Sequence, residues 1–284
     1  MKKISVVIVT YNSESDIYAC LEALYTYNDI GTDLEVIVVD NNSKQQEELF
    51  VHLRQYNKEI VCIPCRENLG YGAGNNIGIK ASSAPFVTIM NPDVRLVQPV
   101  FRELLEIFEN QKADLVGMRQ YETPHRPGQS FLMLFLSVPN LFVHKICSLL
   151  NVYIKSRFCF SGACFAFRKT SLEEFGGFDE KMFLYGEERY IHLQLLRHGR
   201  DRIYYAKKLR YLHPVHDRAY SGNTMKLGFL SYKYVIHKLG LNYPVLLRKL
   251  MNMYRFLSLK AKLTGDTTGV EEQNQTLQMI NQNK

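Results

Sequence analysis

The chain has 284 residues, 46% of them apolar, no Trp and a formal net charge of +7. That length and balance exclude a disordered or fibrous chain and leave room for one large domain with an appendage. Six cysteines (Cys20, Cys62, Cys65, Cys147, Cys159 and Cys164) lie scattered among apolar neighbours, the pattern of free thiols in a reducing compartment rather than of a disulfide framework.

The first apolar run, Ile4 to Val9, ends in Thr10-Tyr11-Asn12. It follows Met1-Lys2-Lys3, yet it is β-branched, short and without a small-residue cleavage site, so it reads as a strand and not as a leader. Ser13 is the predicted N-cap of a helix with Glu14 and Asp16 in its first turn and Ile17, Cys20, Leu21 and Leu24 on one face. A second strand over 34–39 stops at Asp40, and Asn41-Asn42-Ser43 opens a helix through Leu49, Phe50 and Leu53. Ile60 to Ile63 is a short strand. Cys62 and Cys65 straddle its end at redox-motif spacing, but no helix opens on the first Cys and no second pair completes a zinc set, so no chemistry is assigned to them.

Next comes Asn68-Leu69-Gly70-Tyr71-Gly72-Ala73-Gly74-Asn75-Asn76, leading into a helix over 73–81. Phe86 to Met90 is a buried strand ending in Asn91-Pro92-Asp93. A helix over 98–110 and a strand over 114–118 complete a βαβαβαβ series, which predicts a mostly parallel sheet covered on both faces. Phe131 to Ile154 is strongly apolar but interrupted by Pro139, His144 and Lys145, too broken for a membrane span. A turn and strand at 160–168, the segment Phe175 to Glu188, a helix ending at Gly199 and a strand at 203–205 follow. From Ala219 to Gly265 every charged side chain is basic, with bulky aliphatics interleaved, and the tail after Asp266 is polar and predicted to be mobile.

Three strands therefore deliver polar groups to one sheet edge, where open α/β folds bind ligands. The glycine segment lacks the third Gly of the dinucleotide fingerprint, Asn75 standing there, so a nicotinamide enzyme is disfavoured. A nucleotide-sugar fits the edge better. Thr10, Tyr11 and Asn12 supply backbone and stacking contacts, and Asp40 accepts from base or ribose. Asp93 suits Mg²⁺ or Mn²⁺ against a diphosphate. Sugar transfer to an alcohol also needs a general base, and Glu187-Glu188, at a loop-to-helix junction, are the candidates.

The stretches Val6–Asn12, Val38–Ser43, Asn68–Asn76, Asn91–Asp93, Gly176–Glu180 and Phe183–Glu188 resemble, in content and order over about residues 4–215, glycosyltransferase family 2 with the GT-A fold, in its rhamnosyltransferase-like branch. The resemblance implies a GT-A domain over 1–218, with a basic helical extension over 219–265 and a polar tail over 266–284. It also implies inverting transfer from a nucleotide-activated sugar with a divalent metal. Asp40 matches the family's nucleotide-binding Asp, and Asp93 its last metal-binding Asp. Asn68, Gly70, Asn75 and Asn91 join the nucleotide-binding set. Asn91 replaces the first carboxylate of the Asp-X-Asp motif, the usual Glu-Asp pair reads Glu187-Glu188, and a further Asp usual after it is Tyr190. A His after the last core strand contacts metal or diphosphate in such proteins; His213 fits first and His216 second.

The reading is transfer of rhamnose from a dTDP- or UDP-sugar to a growing, lipid-linked surface glycan. Other UDP-sugar donors (galactofuranose, galactose, glucose) and a catalytically silent nucleotide-sugar scaffold are the alternatives. The expected partners are the nucleotide-sugar, the glycan acceptor and an anionic membrane contacted peripherally from the cytoplasmic face through 131–154 and 219–265. Nucleic acid is not expected, and a homo-oligomer is compatible with the reading.

Overall fold

β-Branched runs alternate with amphipathic helices through the first half of the chain, and this alternation builds the sheet. The computed structural model describes residues 1–214 and 222–284. In order come β1 (Ile4–Thr10), α1 (Glu14–Thr26), β2 (Leu34–Asp40), α2 (Gln46–Tyr56), β3 (Val61–Pro64), α3 (Tyr71–Ala81) and β4 (Phe86–Met90). A two-residue strand β5 (Arg95–Leu96) precedes α4 (Phe101–Asn110), β6 (Leu115–Thr123) and β7 (Arg126–Pro127). Then follow β8 (Phe131–Met133), α5 (Val138–Leu150), β9 (Phe158–Phe160), β10 (Cys164–Arg168), α6 (Lys169–Glu173), α7 (Glu187–Arg197) and β11 (Ile203–Leu212). Helices α8 (Gly222–Lys238), α9 (Tyr243–Leu263) and α10 (Thr267–Asn283) complete the described elements.

The chain divides into two compact units. The first comprises Met1–Ser130, Phe160–Phe183 and Tyr190–Val215. Its sheet has the order β3-β2-β1-β4-β10-β6-β11-β5, with β7 on β6. β3, β2, β1 and β4 are parallel neighbours, as are β6 and β11. β10 runs antiparallel between β4 and β6. The fold is the expected α/β class, a mostly parallel GT-A sheet flanked by helices, with one reversed strand at its centre.

Central strand residues such as Val6, Ile8, Val38 and Val87 are fully buried because helices cover both faces. α1 and α4 contribute Leu21, Leu24, Leu104 and Phe108 to one core. On α3, a Cβ at Gly74 would sit 2.8 Å from Val9 Cγ1, and one at Gly78 would collide with Val7. Glycine thus lets this helix seat directly on β1.

Ser13 is the N-cap residue of α1 as expected, its carbonyl accepting from Asp16 and Ile17 N at 3.0 Å, while its hydroxyl donates to the Tyr11 carbonyl at 3.1 Å. One local expectation is corrected. Asn41-Asn42-Ser43 forms a turn, and α2 begins only at Gln46.

The second unit comprises Phe131–Cys159, Leu184–Arg189 and His216–Lys284. Strands β8 and β9 pair there. Phe229, Tyr232, Ile236, Leu250, Met253 and Ile280 form its core. The tail expected to be mobile after Asp266 is instead helix α10, N-capped by Asp266 Oδ1, which accepts from Gly269 N at 2.8 Å, and anchored by buried Thr276 and Ile280. Among the described residues no helix is long and apolar enough to cross a membrane.

Candidate active site

In the first unit, parallel pairing in register Thr10↔Asp40 brings the carboxyl ends of β1 and β2 level. Asn41 N then donates to the Thr10 carbonyl at 2.8 Å, extending the ladder one residue past the strands. Asp40 is fully buried. Its Oδ1 accepts from Ser43 N at 2.8 Å and Gln46 Nε2 at 2.6 Å, and its Oδ2 from the Ser43 hydroxyl at 2.5 Å. The carboxylate expected to read a base or ribose is directed at its own turn. Asn12, at φ 49°, donates its N–H to Ser43 Oγ at 2.7 Å and accepts from Lys44 N at 3.0 Å, locking the two loops together. Tyr11 is 50% exposed and presents a free ring beside them.

The glycine segment is a seam. Asn68 Oδ1 accepts from Gly70 N at 3.0 Å, and the Gly70 carbonyl accepts from Asn41 Nδ2 at 2.9 Å. Gly70 sits at φ 87°, where a Cβ would lie 2.5 Å from the Phe183 carbonyl. That carbonyl accepts from Tyr71 N at 3.1 Å. Asn75 is fully buried and donates to the Tyr71 carbonyl at 2.9 Å. Asn76 pairs with the backbone of Phe178 in both directions at 2.9 Å, which ties Gly176 to Glu180 against α3.

Asn91 N donates to the Ala163 carbonyl at 2.8 Å, and Val94 N closes a turn onto the Asn91 carbonyl at 3.1 Å. β5 then pairs antiparallel with β11 in register Arg95↔Leu212. Just past this pairing, Asp93 and His213 approach each other. Nε2 and Oδ1 are 3.2 Å apart, with side-chain exposures of 13% and 15%. Buried oxygens of Thr10, Asn41, Asn75 and Asn91 lack hydrogen-bond partners among the described residues. Buried acceptors left open at one sheet edge point to a polar ligand.

An oxygen–nitrogen donor pair of this kind fits Mg²⁺ or Mn²⁺ whose other ligands come from a diphosphate. Among the described residues no group of three or more His, Cys, Asp or Glu could hold a metal unaided. His216 lies outside the described residues.

Glu187 and Glu188 belong to the second unit and form the first turn of α7, after Tyr185 at φ 73° and Gly186 at φ 91°. Glu187 is buried and its Oε1 has no hydrogen-bond partner among the described residues. Burial and the adjacent Glu188 carboxylate push its pKa up to about 8. Glu188 is also raised, by burial, with Arg189 opposing. Arg189 itself donates to the Leu134 and Met133 carbonyls at 3.0 and 3.2 Å and lies over the Tyr232 ring. In the first unit, Tyr190 is buried, its hydroxyl accepting from Gln194 at 3.0 Å.

Sequence reasoning read Asn41 and Ser43 as a helix opening and did not name Gln46, whereas the three hold the edge together. The signal available was the polar run directly after a buried strand.

The glycosyl transferase family 2 model matches residues 5–176. The chain is 27% identical over 201 residues to the low-salt glycan biosynthesis hexosyltransferase Agl10 of Haloferax volcanii, covering 65% of this chain and 59% of that protein. It is 24% identical over 117 residues to the poly(ribitol-phosphate) beta-N-acetylglucosaminyltransferase TarP of Staphylococcus aureus, covering 41% of this chain and 36% of that one. Its fold is similar to Staphylococcus aureus TarS 1–349 in complex with UDP (TM-score 0.59, 20% identity, 98% of this chain and 80% of that chain). It is also similar to the mannosyltransferase PcManGT of Pyrobaculum calidifontis in complex with GDP-Man and Mn²⁺ (TM-score 0.65, 14% identity, 98% and 85%).

Proposed function

The chain belongs to glycosyl transferase family 2, and on that premise we propose that it is an inverting glycosyltransferase that moves a sugar from a nucleotide diphosphate donor to a hydroxyl of a growing glycan. The observation that carries this reading is the Asp93–His213 pair, 3.2 Å apart, beside buried acceptors left open at the sheet's carboxyl edge. Tyr11 stacks on the base, and the linked loops at Asn12 and Ser43 hold the nucleoside. Asp40 acts by fixing the 40–43 turn. A divalent cation held by Asp93 and His213 supplies positive charge against the departing diphosphate when bound.

In the transfer, Glu188 takes the proton from the acceptor hydroxyl as the acceptor oxygen bonds to the anomeric carbon. The bond from that carbon to the diphosphate oxygen breaks on the opposite face, and its electron pair leaves with the nucleoside diphosphate. Glu187, buried behind it, positions the helix turn. The donor is a dTDP- or UDP-sugar, with rhamnose favoured by the motif resemblance. The acceptor is a lipid-linked surface glycan. On α5, exposed Ile146, Leu149 and Leu150 support peripheral contact with an anionic membrane, as do the basic residues of α9.

A thermal-shift screen against dTDP-rhamnose, UDP-sugars including UDP-GlcNAc, and GDP-mannose, with and without Mn²⁺, tests the reading. Donor at about a hundred times its Kd should raise Tm by roughly 5–10 °C. The shift should need Mn²⁺ and disappear in Asp93→Ala. No response to any nucleotide-sugar rejects the donor site, and donor binding without sugar transfer leaves a silent scaffold.

A further inference from the structure

β6 and β11 run parallel and in register until Ala206 faces Met118, and there β11 bulges. Without the bulge Lys207 would come next beside Arg119; with it, Arg210 does. Strand alternation puts Tyr121 on the same face as Arg119. Both guanidiniums converge on its ring, with Cζ 5.1 Å (Arg119) and 5.7 Å (Arg210) from the centroid. All three residues belong to the first unit, and Arg119 and Tyr121 stand toward the carboxyl end of β6. The Tyr121 carbonyl accepts from His213 N at 2.8 Å, so the same strand end carries the histidine that faces Asp93.

Like charges gathered at one ring repel unless an anion joins them. Stacking on a half-exposed tyrosine stabilises a guanidinium only weakly, and it uses the face of the group while the N–H edge stays open. Neither Arg119 nor Arg210 makes a hydrogen bond or ion pair among the described residues. By contrast, Arg168, Arg200 and Arg202 are held by the Phe108 carbonyl, Glu174 and Asp114. The two strands and β7 offer no spare counter-charge. Residues 115–127 and 203–212 contain Arg119, Arg126, Lys207, Lys208 and Arg210 against one carboxylate, Glu122, which pairs with Arg126 at 3.0 Å.

The open edges suit an anion whose oxygens can accept from two forks at once. A phosphate group does so through a tetrahedral set of oxygens, whereas a carboxylate is satisfied by a single fork and leaves the second guanidinium unanswered. We propose that Arg119, Arg210 and Tyr121 form a phosphate-ester site, and that the ester it holds is carried by the acceptor glycan. Its attribution to the acceptor rests on the transferase reading; the anion site does not. The site is separate in its residues from the Asp93–His213 pair, which serves the donor's diphosphate.

The test is a ³¹P-NMR titration of the full chain with glycerol 3-phosphate and with inorganic phosphate. Glycerol 3-phosphate should bind saturably and at least as tightly as inorganic phosphate. Arg119→Gln and Arg210→Gln should each weaken it at least tenfold. Removing the same charge from a neighbouring exposed position, Lys208→Gln, should change it less than twofold. The Mn²⁺-dependent thermal shift with donor should be unchanged in both arginine variants.

An equal loss in Lys208→Gln would mean a diffuse basic surface and would overturn the proposal. So would tighter binding of inorganic phosphate, which makes the free anion the ligand, or loss of the donor shift, which gives the arginines to the donor's diphosphate. Because Arg210 is exposed, its variant keeps the test valid should Arg119→Gln fail to fold. If the ester binds and the arginine variants abolish it while no nucleotide-sugar shifts Tm, the anion site stands and the transferase reading falls. A donor shift without any phosphate-ester binding sinks the site alone.

Discussion

Glu187 and Glu188 stand next to each other, and the proposed mechanism gives them different work. Glu188 is half-buried and is the residue proposed to receive the acceptor proton. Its replacement by Gln keeps the shape and removes the basicity. Turnover should fall by roughly 10²–10⁴-fold, with the donor thermal shift retained; an unchanged kcat would move the base elsewhere. Glu187 is a buried carboxyl raised to about 8. Because the native state keeps this proton after the unfolded chain has released it, the group adds stability below its ordinary value of 4.5. That contribution is lost as pH climbs toward 8, at up to about 1.4 kcal/mol per pH unit. Urea melts from pH 5 to pH 8 should show stability declining, and Glu187→Gln should flatten the decline. A parallel decline in the variant would assign the pH dependence to another group.

Among the elements, α3 depends most directly on side chains that are absent. Gly74→Ala would press a methyl group against Val9 Cγ1 and, at 3.2 Å, against Asn41 Nδ2. Such overpacking costs about 1–3 kcal/mol, which should appear as a lower denaturation midpoint with unchanged slope. The same substitution at Gly228, in open space, should be neutral or stabilising. The strand ends at Thr10 and Asp40, and the Asn91-Pro92-Asp93 turn just past β4, were legible in the sequence because apolar runs stop there abruptly on polar residues. The purpose of Gly74 was not legible, since a glycine gives no sign of whether ligand or strand lies opposite it. The direction of β10 was equally hidden: Cys164 to Phe167 is buried throughout, and buried strands of either direction read alike. For α10, a Gln- and Asn-rich composition masked a helix whose stability comes from packing Thr276 and Ile280 and not from its own propensity. Asp40 was rightly located at the edge, but only the turn geometry revealed that Ser43 and Gln46 occupy its oxygens.

For the whole molecule, the proposed membrane contact falls on the second unit. Leu149 and Leu150 of α5 are 84% and 65% exposed, and residues 131–159 contain no Asp or Glu. Phe142 of the same helix meets Phe256 of the cationic α9, with ring centroids 5.6 Å apart. Co-sedimentation with phosphatidylserine vesicles should weaken with added salt and fall at least tenfold in the double variant Leu149→Asp, Leu150→Asp. Both positions are at the surface, so the fold should survive. Wild-type protein that stays in the supernatant would remove the membrane from the reading.

The short pairing of β5 with β11 also has a consequence in time. Asp93 emerges from the ribosome long before His213, and at ordinary translation speeds the interval is on the order of ten seconds. Throughout it the nascent chain possesses β1, β2 and β4 with their polar ends, but not the histidine that faces Asp93. The Asp93–His213 pair therefore forms only once the sheet's last long strand has been made, and a ribosome stalled before that strand would display a sheet edge unable to assemble the pair.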